Sequence, residues 1–142
     1  MVSAFALLKT WAATHAHRFQ PVLRDRFIMY GEWLYAKHTV FYDALPHYFF
    51  EFDVFDRQSQ VFLSTKARQD LLSGMPIMPV PVLRAGVCEK PETLPSLVKP
   101  SLYKSATWRD TLAAVATSQG LDVQEALKKT EDSELSEGLY FK

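Results

Sequence analysis

The residues best suited to chemistry lie in one stretch, residues 26–56, RFIMYGEWLYAKHTVFYDALPHYFFEFDVFD. Within it Phe27-Ile28-Met29-Tyr30 reads as a short buried strand that Gly31 ends, and Glu32 follows at once. A carboxylate just past a strand, beside a glycine, is placed to accept hydrogen bonds from a ligand's hydroxyls. A second strand is expected over residues 48–55, with Tyr48, Phe50, Phe52 and Val54 on one face and Phe49, Glu51, Asp53 and Phe55 on the other. The first face is wholly apolar and aromatic. The second mixes two carboxylates with two rings, an odd combination for a plain solvent face. Periodicity alone supports only a sheet-containing soluble domain, because a phenylalanine in a strand is ordinarily core. His38 and His47 read as surface or structural, and no histidine pair has convincing metal-ligand spacing.

The string GEWLYAKHTVFYDALPHYFFEFDVFD resembles the RNA-ligase domain of the covalent nucleotidyltransferase superfamily, which also holds DNA ligases and mRNA capping enzymes. In that family ATP adenylates an enzyme lysine, and the AMP then passes to the 5′-phosphate of a nucleic acid. The family's strand ending in Gly-Glu is matched by Tyr30-Gly31-Glu32, and its aromatic strand ending in Phe-Asp by Phe50-Glu51-Phe52-Asp53. A later Glu-Gly motif followed by apolar residues is matched by Glu137-Gly138-Leu139-Tyr140-Phe141-Lys142. Each motif is short; their order and spacing carry the likeness.

The resemblance implies roles for three residues. Glu32 would bind the ribose of the nucleotide, Phe52 would stack on the adenine, and Glu137 would sit near the phosphates and help hold a divalent metal. A carboxylate can accept two ribose hydroxyls, an aromatic face stacks on a purine, and a hard carboxylate oxygen suits Mg²⁺. ATP and Mg²⁺ are therefore the implied cofactors, and RNA ends the implied partner. The family's nucleophile lies in a Lys-x-Asp-Gly-like motif upstream of the Gly-Glu strand, and no such motif occurs here; the lysines before Glu32 reduce to Lys9. The motif with the phosphate-contacting arginine is not visible either, and the last lysine-bearing motif would follow the Glu-Gly strand. Residues 1–142 are thus expected to be the central part of a nucleotidyltransferase domain, and not to self-adenylate alone, since a lysine phosphoramidate needs its lysine.

The elements that must position these residues read as α+β: an antiparallel sheet with flanking helices, part of an ATP-grasp-like ligase adenylation domain. Residues 3–25 are expected to be helical, capped by Ser3, with Phe5, Leu8, Trp11, Ala12, His15 and Phe19 as a core stripe and a kink or restart at Pro21. His15 and His17 lie about 200° apart on that helix and cannot share a metal ion. After a turn at 56–60 come a strand at 61–64, a helix at 66–72 capped by Thr65, and a proline-rich edge segment at 75–83. Further helices are expected at 91–98, 106–119 and 122–129, the last capped by Asp122 and pairing Glu125 with Lys129. Lys99, Tyr103 and Lys104 mark a basic, aromatic loop able to contact a nucleic-acid backbone. Residues 130–136 read as a solvated acidic linker and 137–141 as a final strand.

Bulk properties narrow the classes. Sixteen basic residues balance sixteen acidic ones, which argues against non-specific coating of nucleic acid and leaves a local basic groove open. The single Cys88 excludes an internal disulfide and a cysteine-rich zinc site. Residues 1–14 lack the basic start of a signal peptide, and no run of about 18 apolar residues could span a bilayer, so a cytoplasmic protein is expected. Two functions of different class stand: part of an ATP-dependent RNA ligase, or a non-catalytic nucleotide- or RNA-binding module that keeps the pocket wall. An unrelated α+β interaction domain is a third.

Overall fold

Ser3 caps the first helix in the expected way, its Oγ accepting the Ala6 N–H at 3.1 Å. The structure, a computed structural model, describes residues 3–142. The reading of residues 1–14 as lacking a leader therefore falls partly outside the described residues. Helix α1 (Ala4–Leu23) follows the cap and runs through Pro21 without restarting. Pro21 lies in the last turn, and Arg24 closes the helix with a positive φ of 48°. The apolar stripe is only partly core: Phe19 is buried, while Phe5 is 63% exposed.

The chain divides into two compact units, each described by itself. The first joins the segment up to Ala36 with Pro46–Pro81, and the second joins Lys37–Leu45 with Val82–Lys142. In the first unit a four-stranded sheet is built on strand β2 (Phe49–Asp56). Strand β1 (Phe27–Trp33) pairs antiparallel along one edge of β2. Two short strands share the other edge: β3 (Val61–Phe62) is antiparallel to Phe55 and Asp56, and β4 (Met78–Pro79) is parallel to Phe50 and Glu51. Helix α2 (Thr65–Leu71) lies between them in sequence, and its cap is Ser64, one residue before the expected Thr65. The class is α+β as expected, with one parallel pairing added by the proline-rich edge segment.

The β1–β2 ladder corrects two expectations. Gly31 does not end the first strand, which continues through Glu32 to Trp33. The strict alternation of β2 also fails. Tyr30 pairs with Asp53 and Gly31 with Glu51, so Phe52 is the extra residue of a β-bulge between those pairs. Residues opposite one another in register share a face, so Glu51 lies on the face of Gly31 and Asp53 on that of Tyr30. The two carboxylates expected side by side on one face are on opposite faces. Nor is residues 27–30 a buried strand: β1 is an edge strand, with Ile28 and Tyr30 each 40% exposed.

Helix α1 covers the face of Gly31 and Trp33. Trp11 lies at its centre, with Phe49 stacked at 4.9 Å and Trp33, Phe19, His15 and His47 at 5.5 to 5.7 Å between ring centroids. Each such pair adds roughly 0.5–1.5 kcal/mol beyond its buried area. On the same face Glu51, 1% exposed, meets Arg68 of α2 at 2.5 Å. The Phe49 ring also lies over Gly31. A β-carbon there would stand 2.6 Å from Phe49 Cε1 and 2.8 Å from the Phe50 carbonyl oxygen.

In the second unit a 3₁₀ segment (Pro91–Leu97) precedes α3 (Trp108–Ser118) and α4 (Val123–Lys128). Asp122 caps α4 through the Glu125 N–H at 2.7 Å, and Lys129 pairs with Glu125 at 2.6 Å, as expected. The expected strand at 137–141 does not form. The one pairing near it is an isolated bridge between Pro100 and Leu135, and an alternating run becomes a strand only where a neighbour takes its backbone hydrogen bonds.

Gly31→Ala should lower stability by about 1–3 kcal/mol in urea denaturation, because the added methyl must push Phe49 off Trp11. An unchanged midpoint would mean that the ring is free to move and that Gly31 is there for another reason.

Candidate functional site

Glu32 owes its position to β1 running on past Gly31. It pairs with Phe50 and is exposed, on the face that also carries Ile28 and Tyr30. Phe52, half-buried, is held at the bulge opposite the Tyr30–Gly31 step. The structure thus brings Glu32 and Phe52 onto adjacent strands within a few residues of one another. Glu137 belongs to the second unit, where it is exposed and accepts the Tyr42 hydroxyl. Lys9, the lysine preceding Glu32, is exposed on α1, with Nζ 4.7 Å from the centre of the Phe5 ring. His47 is structural: its Nδ1 accepts the Phe49 N–H at 2.9 Å.

Several charged groups escaped the sequence reading. Asp56, 2% exposed, accepts Arg26 Nε at 3.0 Å and Nη2 at 2.7 Å, and it also takes the Gln58 N–H at 2.9 Å. The Arg26 guanidinium, and then the turn N–H groups, hold its carboxyl far below the usual carboxylate range. In the second unit Asp43 accepts the Ser105 N–H at 2.8 Å and Oγ at 2.5 Å, and Thr111 Oγ1 at 3.3 Å. Burial pushes the Asp43 carboxyl up, but these hydrogen bonds outweigh it and leave the group below its ordinary value.

The acids of the segment at 130–136 are exposed, as expected, but two of them are also paired. Arg109 pairs with Asp132 at 2.7 Å and with Glu134, and Glu134 accepts the indole N–H of Trp108 at 3.0 Å. Arg109 and then Trp108 hold the Glu134 carboxyl below its ordinary value. Lys104, read from the sequence as able to contact a nucleic-acid backbone, donates to the Ser133 carbonyl at 2.6 Å and lies 4.6 Å from the Trp108 ring centre. Lys37 donates to the His38 carbonyl at 2.9 Å; burial, and then the neighbouring Lys129, hold its ammonium below the usual lysine range. Among the described residues no three His, Cys, Asp or Glu side chains come together as a metal site, and no helix is long and apolar enough to cross a membrane.

The arrangement therefore offers an acceptor-only carboxylate and an aromatic ring on neighbouring strands, in the sequence order Gly-Glu then Phe-x-Phe-Asp. The model of the RNA ligase family matches residues 2–142. The chain belongs to the RNA ligase family. No curated protein and no solved structure matches it. Membership in the RNA ligase family gives the aromatic second strand and the Gly-Glu pair a common context, and it makes nucleotides and RNA the relevant ligand classes.

Asp56 yields a test with a definite sign. Its folded carboxyl titrates below the unfolded value of about 3.9, so its contribution is complete above about pH 5 and is lost as pH falls through the depressed folded value. Asp56→Asn should lower the urea midpoint at neutral pH and flatten its decline between about pH 5 and pH 2. Parallel acid limbs for the two proteins would show that the Arg26–Asp56 pair is not linked to folding.

Proposed function

We propose that this RNA ligase chain supplies the nucleotide-contacting wall of an ATP-dependent enzyme that adenylates a lysine and passes AMP to an RNA 5′-phosphate. The observation that carries the reading is the family match across residues 2–142, with Glu32 and Phe52 set on paired strands about one bulge. Glu32 accepts the ribose hydroxyls, a role its exposed, acceptor-only carboxylate suits. Phe52 stacks on the adenine; half-buried, it keeps a fixed ring and some accessible face. Glu137 contacts the phosphates and their Mg²⁺, and its carboxylate keeps acceptor capacity beyond the Tyr42 bond. When bound, Mg²⁺ neutralises phosphate charge, and ATP supplies the transferred nucleotide.

No Lys-x-Asp-Gly-like motif occurs in the sequence, which favours a second reading: a module that binds nucleotide or RNA without forming the covalent intermediate. Supplying a lysine-bearing family segment in trans with labelled ATP separates the two. Labelled AMP on that segment supports the ligase; persistent inactivity with measurable ATP or RNA binding supports the module.

The nucleotide wall itself is tested by equilibrium ATP binding to the full chain. Phe52→Ala, and Phe52→Leu to preserve packing at the bulge, should each remove about 1–3 kcal/mol of stacking, weakening binding roughly 5- to 150-fold. Glu32→Ala should weaken it as well and reduce the preference for ATP over its 2′,3′-dideoxy analogue. Unchanged affinity in all three variants would end the assignment.

A further inference from the structure

The C-terminal end of α1 and the turn from β2 to β3 carry three arginines that the nucleotide reading does not use. Arg24 and Arg26 flank Asp25 just after the helix, and Arg57 opens the turn. The ladder brings the two segments together: Phe27 pairs with Asp56, and the Arg57 N–H donates to the Arg26 carbonyl at 2.8 Å. Each guanidinium is oriented. Arg26 is fixed by its two bonds to Asp56 and remains 50% exposed, with Nη1 outside that fork. Arg57 Nη1 donates to the Asp25 carbonyl at 2.9 Å, and Arg24 Nε to the Pro21 carbonyl at 3.1 Å. Among the described residues no carboxylate forms an ion pair with Arg24 or Arg57.

Arg26, Arg57, Gln58, Gln60 and Asp25 line one shallow hollow of about 470 Å³. A second, of about 460 Å³, shares Asp25 and is walled by Leu23, Phe27 and Arg24. Guanidinium forks match phosphate oxygens, and glutamine amides add neutral donors. The Asp25 carboxylate would repel a bare anion, yet it is an acceptor of the kind that a ribose 2′-hydroxyl satisfies. The apolar wall next to it suits a sugar or a base.

We propose that this corner of the first unit is a contact site for the RNA strand: Arg57 and the outer edge of Arg26 hold a phosphodiester, and Asp25 accepts from a neighbouring 2′-hydroxyl. The proposal rests on the RNA ligase reading for its ligand class, and it explains how a chain of zero net charge holds a polyanion locally.

The test is binding of a 5′-phosphorylated single-stranded RNA, and of DNA of the same sequence, to the full chain across a salt series, with ATP binding measured in parallel. Arg57→Ala should weaken RNA binding and shallow the salt slope by about 0.7, the share of one phosphate contact on a single strand, while ATP affinity stays constant. Lys66→Ala, at an exposed cation elsewhere in the unit, should change neither. Asp25→Ala should narrow the preference for RNA over DNA. If Arg57→Ala leaves RNA affinity and slope unchanged while ATP still binds, the site is wrong and the nucleotide reading stands. If RNA binding responds to Arg57 while Glu32 and Phe52 variants bind ATP normally, the RNA site stands and the nucleotide wall falls. Equal binding of DNA and RNA that Asp25→Ala does not alter, or inorganic phosphate competing as well as RNA, would overturn the proposal.

Discussion

The ring of Phe49 lying over the bare backbone of Gly31 fixes the geometry of the first unit. It leaves Phe49 stacked on Trp11, and Trp11 in turn gathers the rings of α1 and the ends of both strands. With that contact in place β1 cannot slide on β2. A one-residue slip would carry every side chain to the other face of the sheet. It would also put a β-carbon, from Tyr30 or Glu32, where only a hydrogen fits. The bulge at Phe52 follows as the local adjustment: the ladder is in register on both sides, and the extra residue falls where the strand passes the glycine.

A second constraint is that β2 is covered on both faces yet carries three acids. Glu51, Asp53 and Asp56 are each at most 2% exposed. A buried carboxylate is tolerated only with hydrogen bonds or a counter-charge. Glu51 meets Arg68 from α2, Asp56 meets Arg26 from the turn just before β1, and Asp53 accepts the Val54 N–H at 2.9 Å. A buried pair such as Glu51–Arg68 adds little net stability over apolar packing, but leaving one of its partners alone is costly, about 3–5 kcal/mol. The Glu51–Arg68 and Asp56–Arg26 pairs consequently tie α2 and the turn leading into β1 to one position on the central strand.

Features governed by neighbours in sequence were legible. The Ser3 and Asp122 caps, the Glu125–Lys129 pair and the turn at 56–60 follow local rules, and the structure shows each. Features governed by long-range pairing were not. Alternation in 48–55 gave no hint of the bulge, because nothing in β2 itself announces a glycine-borne ring on its partner. The run at 137–141 has the pattern of a strand but not the neighbour. The arginine corner was invisible for the same reason: Arg26 and Arg57 are distant in sequence and meet only because the ladder ends at Phe27 and Asp56. Of the candidate site, the residue types of Glu32, Phe52 and Glu137 came from likeness to a family. Their placement on an edge strand, a bulge and an irregular tail needed coordinates.

On the function proposed, binding and bond-making are divided between different residue types. Carboxylates such as Glu32 accept hydrogen bonds, and a ring such as Phe52 stacks; neither supplies the amine that a phosphoramidate requires. On that proposal the contribution of the β1–β2 wall would be orientation: it would hold a sugar and base so that the α-phosphate presents one geometry to an incoming lysine. Orientation of that kind depends on rigidity more than on the wall's own reactivity. A bulge pinned by a ring over a glycine, beside a strand locked by two arginine–carboxylate pairs, is a rigid support for it. A nucleotide wall so supported would keep its geometry whether or not the nucleophile is present, so on the proposed function ligand affinity and covalent transfer are separable.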